Sequence, residues 1–436
     1  MEPPLSPRPP RHQTMRILII SNTPFLPVTA GNRARINQMV EFFLKRDTEV
    51  GMLMLPAVDI EEWGVDVMRD RLSYFDIAVP FTDSGRSNMG VAIAGRVMGQ
   101  LASRIRRLID RALPRPSRPI GVDDWCPWWF RARVAAVTEE WIPDVVIIEY
   151  VFLSACLDHV GRRTAHPPLK VIDTHDIMHQ RAAAYAAAGL PAQWFHTTYA
   201  EEQRGLTRAD VVLAIRDADS SVLEEMLPEK TVLTVPHGYR VHPAAPEEAL
   251  PCRMLFVASY NDLNVRGLQW FFDEVWPQLK VSAPDAELIV CGNICEKLGA
   301  VPPGVIIRGF VPSLVAEYAR ASVVINPVHA GTGLKVKIAE ALCHGRPVVS
   351  TRPGAADIAT GDPEGVIVAD SASDFGAAVR RLLDNSDRWK QLTAAATAHA
   401  ARCFSPEAAF APLMDHLAAV VSAKRGQARA QATETR

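Results

Sequence analysis

The stretch VVINPVHAGTGLKVKIAEALCHGRPVVSTRPG, Val323–Gly354, limits the possible folds more than any other part of the chain. An apolar strand, Ser322–Asn326, runs into a glycine-bearing turn, His329–Gly333, and then into a helix from about Leu334 to His344. Gly345 ends that helix, and a second apolar strand, Pro347–Thr351, follows. Strand, turn, helix, strand is a parallel crossover, which commits its surroundings to an α/β sheet with ligands at the carboxyl ends of the strands. Gly331 and Gly333 let the backbone come close to a ligand. The helix that follows aims its unpaired amides and the positive end of its dipole at the same place. Lys337, Glu340 and His344 fall at i, i+3 and i+7 on one helix face, opposite Leu334, Ile338, Ala341 and Leu342. A phosphate-sized anion at the turn and a hydroxyl-bearing group at Glu340 satisfy this arrangement, and a sugar nucleotide carries both.

The rest of the chain repeats the pattern. Arg16–Ser21 reads as a buried strand, Asn22–Asn32 as a loop, Ala34–Lys45 as a helix and Glu49–Leu55 as a strand, with no GxGxxG to suggest a nicotinamide cofactor. Residues 56–144 are less regular. Strands resume at Asp144–Glu149, Lys170–Asp173, Val211–Ile215 and Thr231–Val235, with helices expected at 177–188, 191–208 and Asp219–Met226. The acidic, proline-rich Val241–Pro251 reads as a linker. A second series then follows, with strands at Arg253–Ala258, Glu287–Cys291, Val305–Arg308, Val323–Asn326, Pro347–Thr351 and Gly365–Val368. One long helix is expected at Arg266–Lys280, and others near 373–384, 386–402 and 406–424. Two doubly wound parallel sheets in one α/β chain is the expected architecture.

At 436 residues the chain exceeds one ordinary core. Its 48 % hydrophobic and 22 % charged residues are those of a globular protein, and a net charge of −2 gives no general attraction to nucleic acid. No apolar run is long enough to span a bilayer. The first 14 residues are proline- and arginine-rich without an apolar segment, and read as a disordered extension. Seven scattered cysteines read as buried reduced thiols of a cytoplasmic protein. Arg86 to Arg118 holds eight arginines and the single acid Asp110 around near-helical apolar spacing, a pattern that suits either a core-covering helix or a peripheral contact with anionic membrane. Trp125, Trp128 and Trp129 follow, as core packing, an interfacial anchor or part of an acceptor groove. Asp217-Ala-Asp219 opens a helix, where aspartates ordinarily cap, and His175 and His179 lack a third ligand, so no metal site is expected.

Together, GTGLKVKIAEALCHGRPVVST, FVASYNDLNVRGLQWFFDEVWP at 256–277, VIIRGFVPSLVAEYARASVVINP at 305–327, RILIISNTPFLPVTAGNRARI and VPHG at 235–238 resemble a GT-B-fold retaining glycosyltransferase of family 4, the glycosyl transferases group 1. The resemblance covers about Met15 to Phe404. It implies two Rossmann-like domains with an interdomain cleft. The first, acceptor-side, spans 15–240 and is joined by a returning helix, 406–424; the second, 252–405, holds the nucleotide sugar, and 425–436 is a flexible tail. No cofactor is implied. Partners would be a UDP- or GDP-type sugar donor and a glycan or lipid-linked acceptor, in polysaccharide or glycolipid assembly.

Carried over by position, Glu340 would accept hydrogen bonds from the ribose hydroxyls. Backbone amides at Gly331, Gly333 and Leu334 would meet the diphosphate, with Arg266 and Lys337 neutralising its charge. The Arg308–Val311 segment, including Phe310, would border the base. Gly31 would face the diphosphate and reacting sugar, with Asn32 and Arg33 in the same loop. His175 would reach the donor sugar or acceptor, beside Asp176. The chain departs from the family at Thr332, where another glutamate is common eight residues before Glu340, and at Asn261, where an arginine is frequent. Two readings compete on the same resemblance: a catalytically inactive nucleotide-sugar-binding partner, and a sugar-nucleotide 2-epimerase of the same fold.

Overall fold

Along Met15–Ser21 (β1), Ile17 and Ile19 enter one buried cluster while Leu18 and Ile20 enter another. Successive side chains of a strand point to opposite faces, so β1 is covered on both sides and reads as an unbroken apolar run. The same division separates Met254 and Phe256 from Leu255 in the second half of the chain. The structure, a computed structural model, describes residues 14–28, 31–55, 65–78, 121–164, 166–187, 189, 196–243, 245–330, 336–356, 358 and 360–434.

The first sheet contains β1, Thr48–Met54 (β2), Tyr74–Ile77 (β3), Val145–Glu149 (β4), Leu169–Asp173 (β5), Val211–Ala214 (β6) and Thr231–Thr234 (β7). Its seven strands are parallel in the order β3-β2-β1-β4-β5-β6-β7. The second contains Arg253–Val257 (β8), Glu287–Cys291 (β9), Val305–Gly309 (β10), Val323–Asn326 (β11), Val348–Ser350 (β12) and Val366–Val368 (β13). Its six strands are parallel in the order β10-β9-β8-β11-β12-β13. This is the expected α/β architecture of two doubly wound sheets.

Within 56–144 the structure adds a helix, Val65–Arg71, the edge strand β3 and a helix, Trp128–Trp141. β3 is only half-buried at each of its positions, which explains its weak apolar signal. The arginine-rich 86–118 lies outside the described residues. The helix expected from Arg266 begins earlier, at Asp262, because the Asn261 side chain caps it by accepting from the Asn264 amide at 2.8 Å. It then widens into a π turn, Phe271–Val275, before Trp276–Ser282. Pro277, lacking an amide, cannot continue the regular ladder there.

The last helix, Pro406–Glu434, returns to the first sheet, where Ala409, Phe410, Leu413, Leu417 and Val421 share a core with Ile17, Ile19 and Phe43. The Phe410 ring lies 5.7 Å from that of Phe42, and a β-carbon on Gly238 would come 2.4 Å from Phe410 Cε2. The glycine of the VPHG motif therefore makes room for this helix. Farther along, Arg425 Nη2 donates to Asp144 Oδ1 and Oδ2 at 2.9 and 2.8 Å. Cys126 and Cys156, distant in sequence, meet in the core with their sulfurs 2.9 Å apart. Phe410→Ala is expected to destabilise the first-sheet unit by about 3–5 kcal/mol in chemical denaturation. A loss below about 1 kcal/mol would show that the ring does not anchor the helix.

Candidate functional site

Each sheet reverses its strand order once, between β1 and β4 in the first and between β8 and β11 in the second. Loops diverge at such a point and leave a crevice at the carboxyl ends of the strands. The helix Gly31–Leu44 follows β1, and Tyr150 follows β4; Asn32 Nδ2 donates to the Tyr150 hydroxyl at 3.1 Å. In the second sheet the Asp262–Trp270 helix follows β8 and the Val336–Cys343 helix follows β11. There Lys337 Nζ donates to Asn264 Oδ1 at 2.8 Å. Asn264 is buried and donates its own Nδ2 to the Ser259 carbonyl at 2.8 Å. Gly267 permits this arrangement, since a β-carbon there would meet the Pro327 carbonyl oxygen at 2.6 Å.

The two crevices face each other. A β-carbon on Gly31 would lie 3.3 Å from Val336 Cγ2, so the first described turns of two helices stand side by side. Gly189, at φ 67°, lies opposite Arg266, whose Nη1 is 3.9 Å from the position of its β-carbon.

On the second-sheet side, the Tyr318 hydroxyl donates to Glu340 Oε2 at 3.0 Å. Burial pushes the Glu340 carboxyl up to about 7, against the opposing pull of that hydroxyl. Tyr318 is fully buried and stacked on His344 at 4.5 Å between centroids and 10° between planes. Burial lowers His344 to about 4, so the imidazole is neutral at pH 7. Arg346 is fully buried and donates to the carbonyls of Tyr318 and Ala319 at 2.8 and 2.7 Å. These are among the last carbonyls of the Val315–Arg320 helix, which a cation suits. The shared face of Lys337, Glu340 and His344 thus forms, with His344 acting as a plate beneath Tyr318.

On the first-sheet side, Arg35 and Asp173 form a bidentate ion pair with no exposed surface, at 2.6 and 3.0 Å. Arg35 Nη1 also donates to the carbonyls of Val235 and Pro236 at 2.8 and 3.0 Å. Burial raises the Asp173 carboxyl, but the charge and hydrogen bonds of Arg35 oppose it, and Asp173 is held below its ordinary value. His175 and Tyr150 both adopt left-handed backbone, at φ 59° and 67°, and their rings stack at 4.2 Å. Such strain in bulky residues persists only where the surroundings impose it, and it gathers at functional sites. His175 Nε2 is hydrogen-bonded to Glu149 Oε2, and burial pushes the Glu149 carboxyl up. Glu149, Asp173 and His175 offer three ligand atoms within 4.8 Å of one another. Both Asp173 oxygens are already held by Arg35, whose guanidinium supplies the positive charge an ion would bring.

The remaining candidates divide. Asp176 accepts from Arg181 Nη1 at 2.5 Å and from the Ile177 amide at 3.0 Å. Arg33 Nη1 donates to the Pro27 carbonyl at 3.3 Å. Phe310 is 61 % exposed just beyond β10. Gly331, Gly333 and Leu334, with Thr332, lie outside the described residues. Asp219 pairs with Arg216, and His179 Nδ1 meets Glu202 Oε2 at 2.6 Å. Arg35, Glu149, Tyr150, Asn264 and Tyr318 escaped the sequence reading. Two of them left a trace: an arginine on the apolar face of Ala34–Lys45, and a glutamate ending an otherwise apolar strand.

Residues 251–385, which carry Asn264, Arg266, Tyr318, Lys337 and Glu340, match the family described as glycosyl transferases group 1. This segment is a group 1 glycosyltransferase domain. The whole chain has the GT-B fold. It is similar to TarM of S. aureus, solved as a point mutant in complex with Fondaparinux, alpha-GlcNAc-glycerol and UDP, at a TM-score of 0.64 and 10 % identity over 93 % of this chain and 100 % of that one. Alr3699/HepE of Anabaena, with UDP and glucose, aligns at 0.61 with 12 % identity over 92 % and 99 %. Sucrose-phosphate synthase from Thermosynechococcus elongatus aligns at 0.59 with 13 % identity over 97 % and 100 %. An uncharacterized 44.6 kDa protein in the cps region of Klebsiella pneumoniae is 29 % identical over 153 residues, 32 % of this chain and 39 % of that protein's length. In the glycosyltransferase domain, Tyr318→Phe should raise the Glu340 pKa above its value of about 7, because a hydrogen bond to the ionised form is lost. Carboxyl-carbon NMR titration measures this, and an unchanged midpoint would remove Tyr318 from the site.

Proposed function

We propose that this glycosyltransferase moves a hexosyl group from a UDP- or GDP-type sugar to a glycan, lipid-linked or small-molecule acceptor. The observation that carries the reading is Glu340, a half-buried carboxylate held by Tyr318 on the face that also bears Lys337, beside the meeting of two helix N-termini at Gly31 and Val336. A carboxylate suits two ribose hydroxyls, and converging helix N-termini with nearby cations suit a diphosphate. In this reading Glu340 binds the ribose; Lys337, Arg266 and the Gly31, Gly331, Gly333 and Leu334 amides bind the diphosphate; and Phe310 borders the base. His175 faces the transferred sugar, with Asn32, Arg33 and Asp176 on the acceptor side. Loss of the nucleoside diphosphate develops negative charge, which prearranged cations and amides stabilise most strongly in the transition state. The acceptor oxygen bonds to the anomeric carbon as the carbon–phosphate-oxygen bond breaks. The electron pair leaves with the diphosphate, whose oxygen takes the hydroxyl proton, giving retention without a metal.

Assembly of a surface polysaccharide or glycolipid at the cytoplasmic face of a membrane is the setting we propose, supported by the resemblance to a cps-region protein. Residues 86–118 would supply the peripheral contact; among the described residues no helix is long and apolar enough to cross a membrane.

In a thermal-shift screen of UDP-, GDP- and ADP-sugars, one nucleotide class is expected to raise the melting temperature, and stabilisation by none would count against this function. Glu340→Ala should weaken binding of the matching nucleoside diphosphate by about 1.5–3 kcal/mol in calorimetry. The ribose needs the ionised carboxylate, so wild-type affinity should hold above pH of about 7 and fall below it, by at most about tenfold per pH unit. An affinity flat from pH 8 to pH 6 would separate Glu340 from the nucleotide.

A further inference from the structure

We propose that Glu149 is a positioning residue that fixes which nitrogen of His175 meets the transferred sugar, making that histidine a hydrogen-bond acceptor. The inference deepens the proposed function and rests on its placement of His175.

Glu149 ends β4 and is fully buried, with Oε2 against His175 Nε2 and with Oε1 enclosed and unpartnered among the described residues. Turning the imidazole over would set a carbon against Oε2 and strand both oxygens of a buried carboxyl, which is costly. The ring is also clamped in its plane. Tyr150 stacks on it at 15°, Asn32 Nδ2 holds the Tyr150 hydroxyl, and the left-handed backbone at φ 59° sets its direction. Asp173 Oδ2 lies 3.9 Å from Nε2, but the two Arg35 hydrogen bonds on Asp173 keep it from competing for the ring.

Nε2 is therefore committed to the interior. His175 Nδ1 has no hydrogen bond among the described residues and is not enclosed, and the side chain keeps 5 % of its surface. When the Glu149–His175 pair holds one proton, that proton lies between Nε2 and the carboxylate, so Nδ1 offers a lone pair. A sugar hydroxyl can donate to it. His175 in this state has no proton at Nδ1 to give, which agrees with a transfer whose proton goes to the departing phosphate. Carboxylates that orient a histidine by binding its other nitrogen are a general device, and removing one disturbs the tautomer more than the fold.

Long-range proton–nitrogen NMR on the ligand-free protein should show His175 protonated at Nε2, and a proton on Nδ1 alone would overturn the proposal. In Glu149→Ala, both tautomers should appear; Glu149→Gln, which keeps the shape, serves if alanine does not fold. Calorimetry with UDP and with the stabilising sugar nucleotide from the screen reads the consequence. The variant should bind UDP within twofold of wild type and lose at least tenfold for the intact sugar nucleotide. Equal losses for both ligands, or none for either, would reduce Glu149 to a structural residue. Wild-type protein that binds neither ligand would instead overturn the proposed function, while the tautomer measurement still decides Glu149's hold on the ring.

Discussion

Gly31 and Val336 stand so close that one added carbon would touch, and the geometry of the site follows from that approach. Each lies in the first described turn of a helix at the reversal point of its own parallel sheet. Helix N-terminal turns held side by side repel one another and share an anion favourably. A diphosphate relieves this repulsion in a way a neutral ligand does not. Gly31 is therefore less a matter of backbone freedom than of distance: a side chain there would separate the helix ends and weaken their joint field.

Around this contact, each crevice is tied across its own reversal by an asparagine, Asn32 to Tyr150 in one sheet and Asn264 to Lys337 in the other. The two ties differ in what they do. Asn264 orients the Lys337 ammonium through a neutral oxygen. Arg35 shows the opposite use of a cation: Asp173 neutralises it, the protein encloses it, and its remaining donors satisfy the carbonyls that follow β7. The cost of removing both groups from water offsets much of the attraction in a buried pair of this kind.

The sequence was most informative where local chemistry and architecture agree. Unbroken apolar runs marked nearly all the strands, because a parallel sheet covered on both faces leaves no polar gaps. Glu340 and Lys337 were legible because one helix turn sets their spacing. The edge strand β3 was not, since half-buried residues carry a mixed pattern, and the π turn at Phe271–Val275 had only Pro277 to announce it. Tyr318 and Glu149 were invisible for a different reason. Each acts on a partner more than 20 residues away, Tyr318 on Glu340 and Glu149 on His175, and such distances are set by the sheet alone.

The same logic explains why strain concentrates at Tyr150 and His175. Both follow strands adjacent in the sheet, β4 and β5, and both must turn back over the strand ends to stack. Left-handed backbone costs a non-glycine residue on the order of 1–3 kcal/mol. Glycine at either place would avoid that cost and lose the ring. Two aromatic faces held in contact by Asn32, Glu149 and their own backbones give a rigid wall at the place proposed for the transferred sugar. A sugar held by one hydrogen bond against a rigid wall has fewer orientations open to it than one held by a mobile side chain. In the proposed transfer, restricting orientation before the bond breaks is a direct contribution to rate.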